Sequence, residues 1–208
     1  MKEMKKLLIS TVLLLLITYV NAQTNRLLTA FEESYAYETN LEYAKAATTL
    51  EKEYLNYISN YEINLRLGWL RYSAGDYKYA EEYYTKALEL KPLSLEAIYG
   101  KILPLIELQK YRSIIKLSEK ALAISPDDSR AEYFIGLASY YKKDYVKSER
   151  YLEKAINKYP FDLDINLMLG WTKLALGKKN EAKSLFLVAQ RKSPTNLRVK
   201  NALNVINK

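Results

Sequence analysis

Beyond residue 26, small and apolar residues recur in columns. Pro92, Pro126, Pro160 and Pro194 are evenly spaced, and the same interval separates Tyr43, Tyr77, Tyr111 and Tyr145, and Ala87, Ala121, Ala155 and Ala189. Gly68, Gly136 and Gly170 share one phase, with Ile102 in the slot between the first two. The shared period, about 34 residues, is that of a stacked helix–turn–helix unit. Each proline ends a second helix, because it lacks the N–H to continue and biases its predecessor away from helical backbone. Five repeats are predicted, at 27–60, 61–94, 95–128, 129–162 and 163–196. Residues 197–208 predict a capping helix, with Val199, Ala202, Leu203 and Ile206 on its apolar side and Lys200, Asn201, Asn204 and Lys208 on its wet side. Asp127, Asp128, Asp162 and Asp164 are placed to cap the helices that follow the prolines.

Segment 61–94, YEINLRLGWLRYSAGDYKYAEEYYTKALELKPLS, resembles a tetratricopeptide repeat (TPR) through Leu67-Gly68, Gly75-Asp76-Tyr77, Ala80, Tyr84, Ala87 and Pro92. The resemblance implies an all-α fold, a right-handed α-solenoid of about five such repeats with the C-terminal capping helix. Neither stripe of a two-helix repeat can be buried alone, so stacking makes the core. The small residues at 68, 136 and 170 and at 80, 148 and 182 are expected to let paired helices approach closely. Repeat three departs from this, with Ile102 and Ile114 in those slots and Pro104 pressing on Gly100. Splayed helices and a kink near Pro104 are expected there, or else local repacking. Repeat one has Glu53 in the alanine column and Ile58 in the proline column, as suits a terminal repeat.

Members of this family generally bind a partner segment along the face lined by the first helix of each repeat. Carried onto this chain, the groove positions include Leu65, Trp69 and Tyr72 in repeat two, and Tyr99 and Leu103 in repeat three. Repeats four and five contribute Tyr133, Leu137, Tyr140 and Tyr141, and Trp171. Tyrosine and tryptophan bring large contact area with few rotatable bonds, although tyrosine in such columns also serves packing. The slots that hold Lys, Asn and Arg in chaperone-binding relatives here hold Leu65, Trp69, Tyr99, Leu103, Tyr133 and Leu137, so a carboxylate clamp is not expected. An extended or helical protein segment is the expected partner. Recognition of an envelope glycan or an anionic lipid, and self-association into a structural oligomer, are the alternatives.

Residues 1–22 have another pattern. Lys2, Lys5 and Lys6 precede a mostly apolar run from Leu7 to Val20, with small residues at Val20 and Ala22. These features predict a secretory signal cut after Ala22, since about fourteen apolar residues fall short of the roughly 20 that span a bilayer. The mature chain would then begin at Gln23, in the periplasm or associated with the envelope. A membrane anchor is the competing reading.

Composition narrows the chemistry. The chain has no Cys and no His, which excludes disulfides, thiol or His-based catalysis and Cys/His metal sites. No phosphate-binding glycine loop or nucleophile elbow appears. The acidic pairs Glu81–Glu82 and Asp127–Asp128 suit helix solvation and capping, so no enzyme and no cofactor are expected. Residues 163–208 carry nine basic against two acidic groups, whereas residues 23–60 carry three against six. A solvated face, attraction to acidic partners or anionic lipid, and pairing of acidic with basic ends all fit this asymmetry. Nucleic acid does not, because no binding motif accompanies the basic end.

Overall fold

The computed structural model describes residues 2–206, and their side chains except those at 2, 3, 7 and 20–23. Lys2, Leu7, Val20 and Ala22 of the expected signal, and Lys208 of the cap, lie outside the described side chains. Among the described residues the chain forms helices and turns only. They divide between two compact units, residues 1–92 and 93–208. The N-terminal unit holds α1 (Lys2–Thr39), α2 (Tyr43–Glu51), α3 (Tyr54–Tyr57), α4 (Tyr61–Ser73) and α5 (Tyr77–Leu90). The C-terminal unit holds α6 (Leu95–Glu107), α7 (Tyr111–Ile124), α8 (Ser129–Tyr141), α9 (Tyr145–Lys158), α10 (Leu163–Ala175), α11 (Lys179–Lys192) and α12 (Leu197–Ile206). The architecture is an all-α helical repeat solenoid.

Two turn devices recur in step with the repeat. Asn60, Ser94, Asp128, Asp162 and Asn196 stand immediately before α4, α6, α8, α10 and α12, and each side chain accepts a first-turn N–H at 2.9–3.2 Å. They satisfy donors that a helix start leaves without partners. Asp127 and Asp164 have other work, in ion pairs with Lys158 and Arg198. At the opposite end, Leu41, Gly75, Gln109, Lys143 and Gly177 all take positive φ, between 54° and 82°. The next N–H in each case reaches back five residues, as Asp76 N does to Arg71 O at 2.8 Å and Lys178 N to Lys173 O at 2.9 Å. This is the Schellman closure. Three of its five left-handed positions carry side chains.

Packing inside each hairpin depends on paired volumes. A Cβ placed on Gly68 would lie 2.9 Å from the Tyr84 ring, on Gly136 2.5 Å from Leu152, and on Gly170 2.3 Å from Phe186. The glycine column therefore makes room for one large side chain sixteen residues on, rather than only for backbone approach. Ser148, from the small column on the second helix, does meet the backbone: its hydroxyl donates to Gly136 O at 2.8 Å and lies 2.9 Å from Thr172 Oγ1. Repeat three inverts the volumes, with Ile102 in the glycine slot and Ser118 in the bulky one, both fully buried. With large side chains at Ile102 and Ile114, the α6 and α7 backbones stand further apart than those of the α4–α5, α8–α9 and α10–α11 hairpins. Pro104 sits inside α6 without shortening it: the helix has thirteen residues, like α4, α8 and α10.

The alanine column is sealed, with Ala87, Ala121, Ala155 and Ala189 at 0% exposure. Where Glu53 replaces that alanine, the second helix of repeat one breaks into α2 and the four-residue α3. A carboxylate cannot be sealed between helices without a partner. In the cap, Val199, Ala202 and Ile206 are buried, while Lys200, Asn201 and Asn204 are exposed.

Two expectations follow. Gly170→Ala drives a methyl into Phe186 and should cost about 2–3 kcal/mol, as overpacking of a rigid core does; an unchanged urea midpoint would refute the contact. Gln109→Gly and Lys143→Gly should each stabilise by about 0.5–1 kcal/mol, the left-handed strain outweighing the added chain entropy of glycine, and thermal melts should shift upward.

Candidate binding surface

The first helices of repeats four and five, α8 and α10, lie side by side in the C-terminal unit. Their starting turns enclose an open cleft of about 350 Å³ lined by Ser129, Arg130, Tyr133, Phe134, Tyr159, Asp162, Asp164 and Ile165. The caps at Asp128 and Asp162 hold both helix starts, so Arg130, Tyr133 and Asp164 project from rigid turns. The Arg130 guanidinium lies 4.3 Å from the Tyr99 ring centre, and Tyr99 in turn packs on Phe134 with ring centres 6.0 Å apart. Asp164 is paired with Arg198 of α12. Burial, then the Asp164 carboxylate, pushes the Tyr133 phenol above its usual range. Burial also raises Tyr99, reinforced by Asp128 beside its hydroxyl. Both phenols therefore stay protonated and uncharged at neutral pH.

The expected groove positions fall into three settings. Tyr133 lines this cleft, and Tyr99, 6% exposed, forms the support beneath Arg130. Tyr140 and Tyr141 stand two turns further along α8, where Tyr141 stacks on Tyr111 with ring centres 5.0 Å apart and Tyr140 packs against Tyr145. Leu137 is buried and Leu103 half-buried. Trp171 is half-buried against Phe186, 5.2 Å between ring centres, in the core shared by α10, α11 and α12. In the N-terminal unit, Leu65, Trp69 and Tyr72 are all half-buried on α4. Trp69 meets Tyr43 edge-on at 5.6 Å and packs on the core formed with α1 and α2. Arg66 beside it pairs with Glu38 and lies 3.8 Å from the Tyr35 ring. Tyr72 leans on Tyr77.

Of the cleft's lining, Arg130, Tyr133 and Asp164 are groove positions that the family resemblance implies, whereas Ser129, Phe134, Tyr159, Asp162 and Ile165 were not among them. Tyr159 had a visible signal, an aromatic beside a column proline where other repeats place Lys91, Ser125 and Ser193. Phe134 had none, since its apolar character alone reads as core.

A tetratricopeptide repeat family model matches residues 61–94. Tetratricopeptide repeat protein 9C of Xenopus tropicalis is 30% identical over 98 residues, which are 46% of this chain and 55% of the frog protein. Residues 61–94 are a tetratricopeptide repeat, and the chain as a whole has the helical-repeat fold of TPR proteins. It spans about half the length of that relative. Among solved structures it is similar to MamA (41-end) from Desulfovibrio magneticus RS-1, with TM-score 0.73 and 21% identity over 83% of this chain and 97% of that one. It is also similar to YrrB, described as a TPR protein with an unusual peptide-binding site, with TM-score 0.70 and 14% identity over 90% of this chain and 97% of the other. At these identities the likeness is one of fold. TPR proteins are in general non-enzymatic scaffolds for protein–protein interaction.

Two ion-pair knots brace the array at equivalent positions, Arg71 in repeat two and Lys173 in repeat five. Arg71 Nε donates to Glu51 at 2.8 Å, and its other nitrogens reach Glu51 and Asp76. Lys173 Nζ meets Glu149 and Glu153 of α9 at 2.7 Å and Glu181 of α11 at 2.8 Å. Among the described residues no cluster of three or more acidic side chains is placed to hold a metal ion. Of the three negative charges around Lys173, that ammonium offsets one, and Lys178 on Glu149 offsets a second. Burial pushes Glu149 upward, but Lys173 and Lys178 more than reverse this and hold its carboxyl below the usual range.

A depressed carboxyl adds stability above its unfolded pKa and loses it as pH falls through the folded value. Lys173→Met should therefore destabilise by about 2 kcal/mol at pH 7, between exposed and buried pairs. The gap from the parent chain should narrow as pH falls below about 4, through the depressed Glu149 value of the parent. Urea titrations at pH 7 and pH 3.5 check this, and an equal gap at both would refute it.

Proposed function

We propose that this protein is an exported, non-catalytic scaffold whose C-terminal unit binds a segment of a partner protein across the starts of α8 and α10. The cleft of about 350 Å³ carries the reading. Its Tyr133, Phe134, Tyr159 and Ile165 walls suit one aromatic or branched side chain of a partner, and of its charged groups Asp162 is engaged in capping and Asp164 in pairing with Arg198. Rigid, capped helix starts lower the entropy lost when such a contact forms. The fold likeness to YrrB, described as having a peptide-binding site, supports the same use.

Export is supported by the N-terminal pattern. From Leu8 to Tyr19 the described side chains of α1 are exposed, with Leu8 and Ile9 each at 67%. This apolar stretch has no place in the core of the N-terminal unit, as befits a leader read by the export machinery. The cleavage after Ala22 and an envelope location belong to this proposal.

A photo-reactive phenylalanine analogue replacing Tyr133 should crosslink a discrete host protein in living cells. The same probe at the exposed Lys154 of α9 should not. Equal adducts at both positions, or none at 133, would remove the assignment of the face.

A further inference from the structure

A second cleft, of about 420 Å³, opens on the far side of Tyr159 and is walled by Pro160, Phe161, Leu163 and Lys192. It shares Tyr159 and Asp162 with the first, so the two are neighbours along one edge of the C-terminal unit. Their common wall is unusual. Tyr159 is 58% exposed and Phe161 68%, whereas Phe134 and Phe186 are 6% and 0% exposed. Two large aromatics left in water on either side of a stiff proline form an apolar surface that folding of this chain does not use.

The charges around this edge select a partner. Lys158 already faces Glu132 and Asp127, and Asp164 faces Arg198. The Asp162 carboxylate is engaged in capping α10. Arg130, which lines the first cleft, and Lys192, which lines the second, form no ion pair among the described residues. Arg130 is held in place by stacking on Tyr99. Residues 163–208, which include Lys192, carry a net charge of +7.

We infer that the partner segment is an extended acidic peptide that crosses this edge with one large apolar side chain in each cleft, astride Tyr159, its carboxylates meeting Arg130 at one end and Lys192 at the other. This rests on the binding face proposed above and adds the path and the chemistry of what binds. The segment runs across the starts of the helices instead of along them. A basic segment would meet an unneutralised cation at each end and be repelled.

The test pans a phage-displayed library of random dodecapeptides against the full chain, then measures the selected peptides by fluorescence anisotropy. Selected sequences should pair two large apolar residues with flanking Asp or Glu. Tyr159→Ala should weaken binding at least tenfold, and Arg130→Glu and Lys192→Glu should each weaken it several-fold, more at low salt than at high. All three side chains are exposed, so unchanged thermal melts would separate lost binding from lost folding. Basic or uncharged selected peptides, indifference to the charge reversals, or no selection at all would overturn the inference. Sensitivity to Tyr133→Ala with indifference to Tyr159→Ala would overturn the crossing path while leaving the α8–α10 face standing. Indifference to both would remove the face as well.

Discussion

The hairpins are built on a volume exchange between their two helices. A residue with no side chain on the first helix faces a large one on the second, in the pairs Gly68–Tyr84, Gly136–Leu152 and Gly170–Phe186. Interiors packed at crystal-like density tolerate neither a spare methyl nor a missing one. The bulky member of each pair can therefore change from tyrosine to leucine to phenylalanine only while its partner stays empty. Repeat three has Ile102 in the glycine slot and Ser118 in the bulky one, both fully buried, and its two helices stand further apart than those of repeats two, four and five.

Repetition of turn chemistry places the candidate site. The first helices α4, α6, α8 and α10 each open at a capping side chain and end in a Schellman closure. The starts of α8 and α10 are consequently gathered on one edge of the C-terminal unit with their first turns rigid. Side chains there are free to vary, because the cap and not the neighbouring position satisfies the backbone. That freedom is where the chain departs from its own repeat, with Arg130 and Asp164 at positions where repeats two and three carry Glu62 and Glu96.

Electrostatics divide in the same way. Cations at the ends of the first helices, Arg71 and Lys173, are largely buried and neutralised by neighbouring carboxylates, so they tie helices together. Cations at the starts and turns, Arg130 and Lys192, are exposed and left without such partners among the described residues. A net basic charge spread evenly would say little about binding. Here the paired cations lie at the ends of the first helices, and the unpaired ones line the two clefts.

Period, helix–turn–helix units, sealed alanines and the capping helix were all legible in the sequence, because each follows from spacing and from backbone chemistry local to a few residues. The left-handed positions were half legible: Gly75 and Gly177 announce them, while Leu41, Gln109 and Lys143 conceal them. The aromatic positions were legible as residues but not as a site. Tyr133 lines a cleft, Tyr140 and Tyr141 join a separate tyrosine cluster, and both tryptophans lean on cores. What spacing could not supply is the environment each ring meets. That depends on which turn of the neighbouring helix stands opposite, and the turn at Tyr159 to Phe161 became a wall between clefts only when α9 delivered it beside α8 and α10. A one-dimensional pattern determines which side chains share a helix face; only three-dimensional packing determines which of those faces remain uncovered.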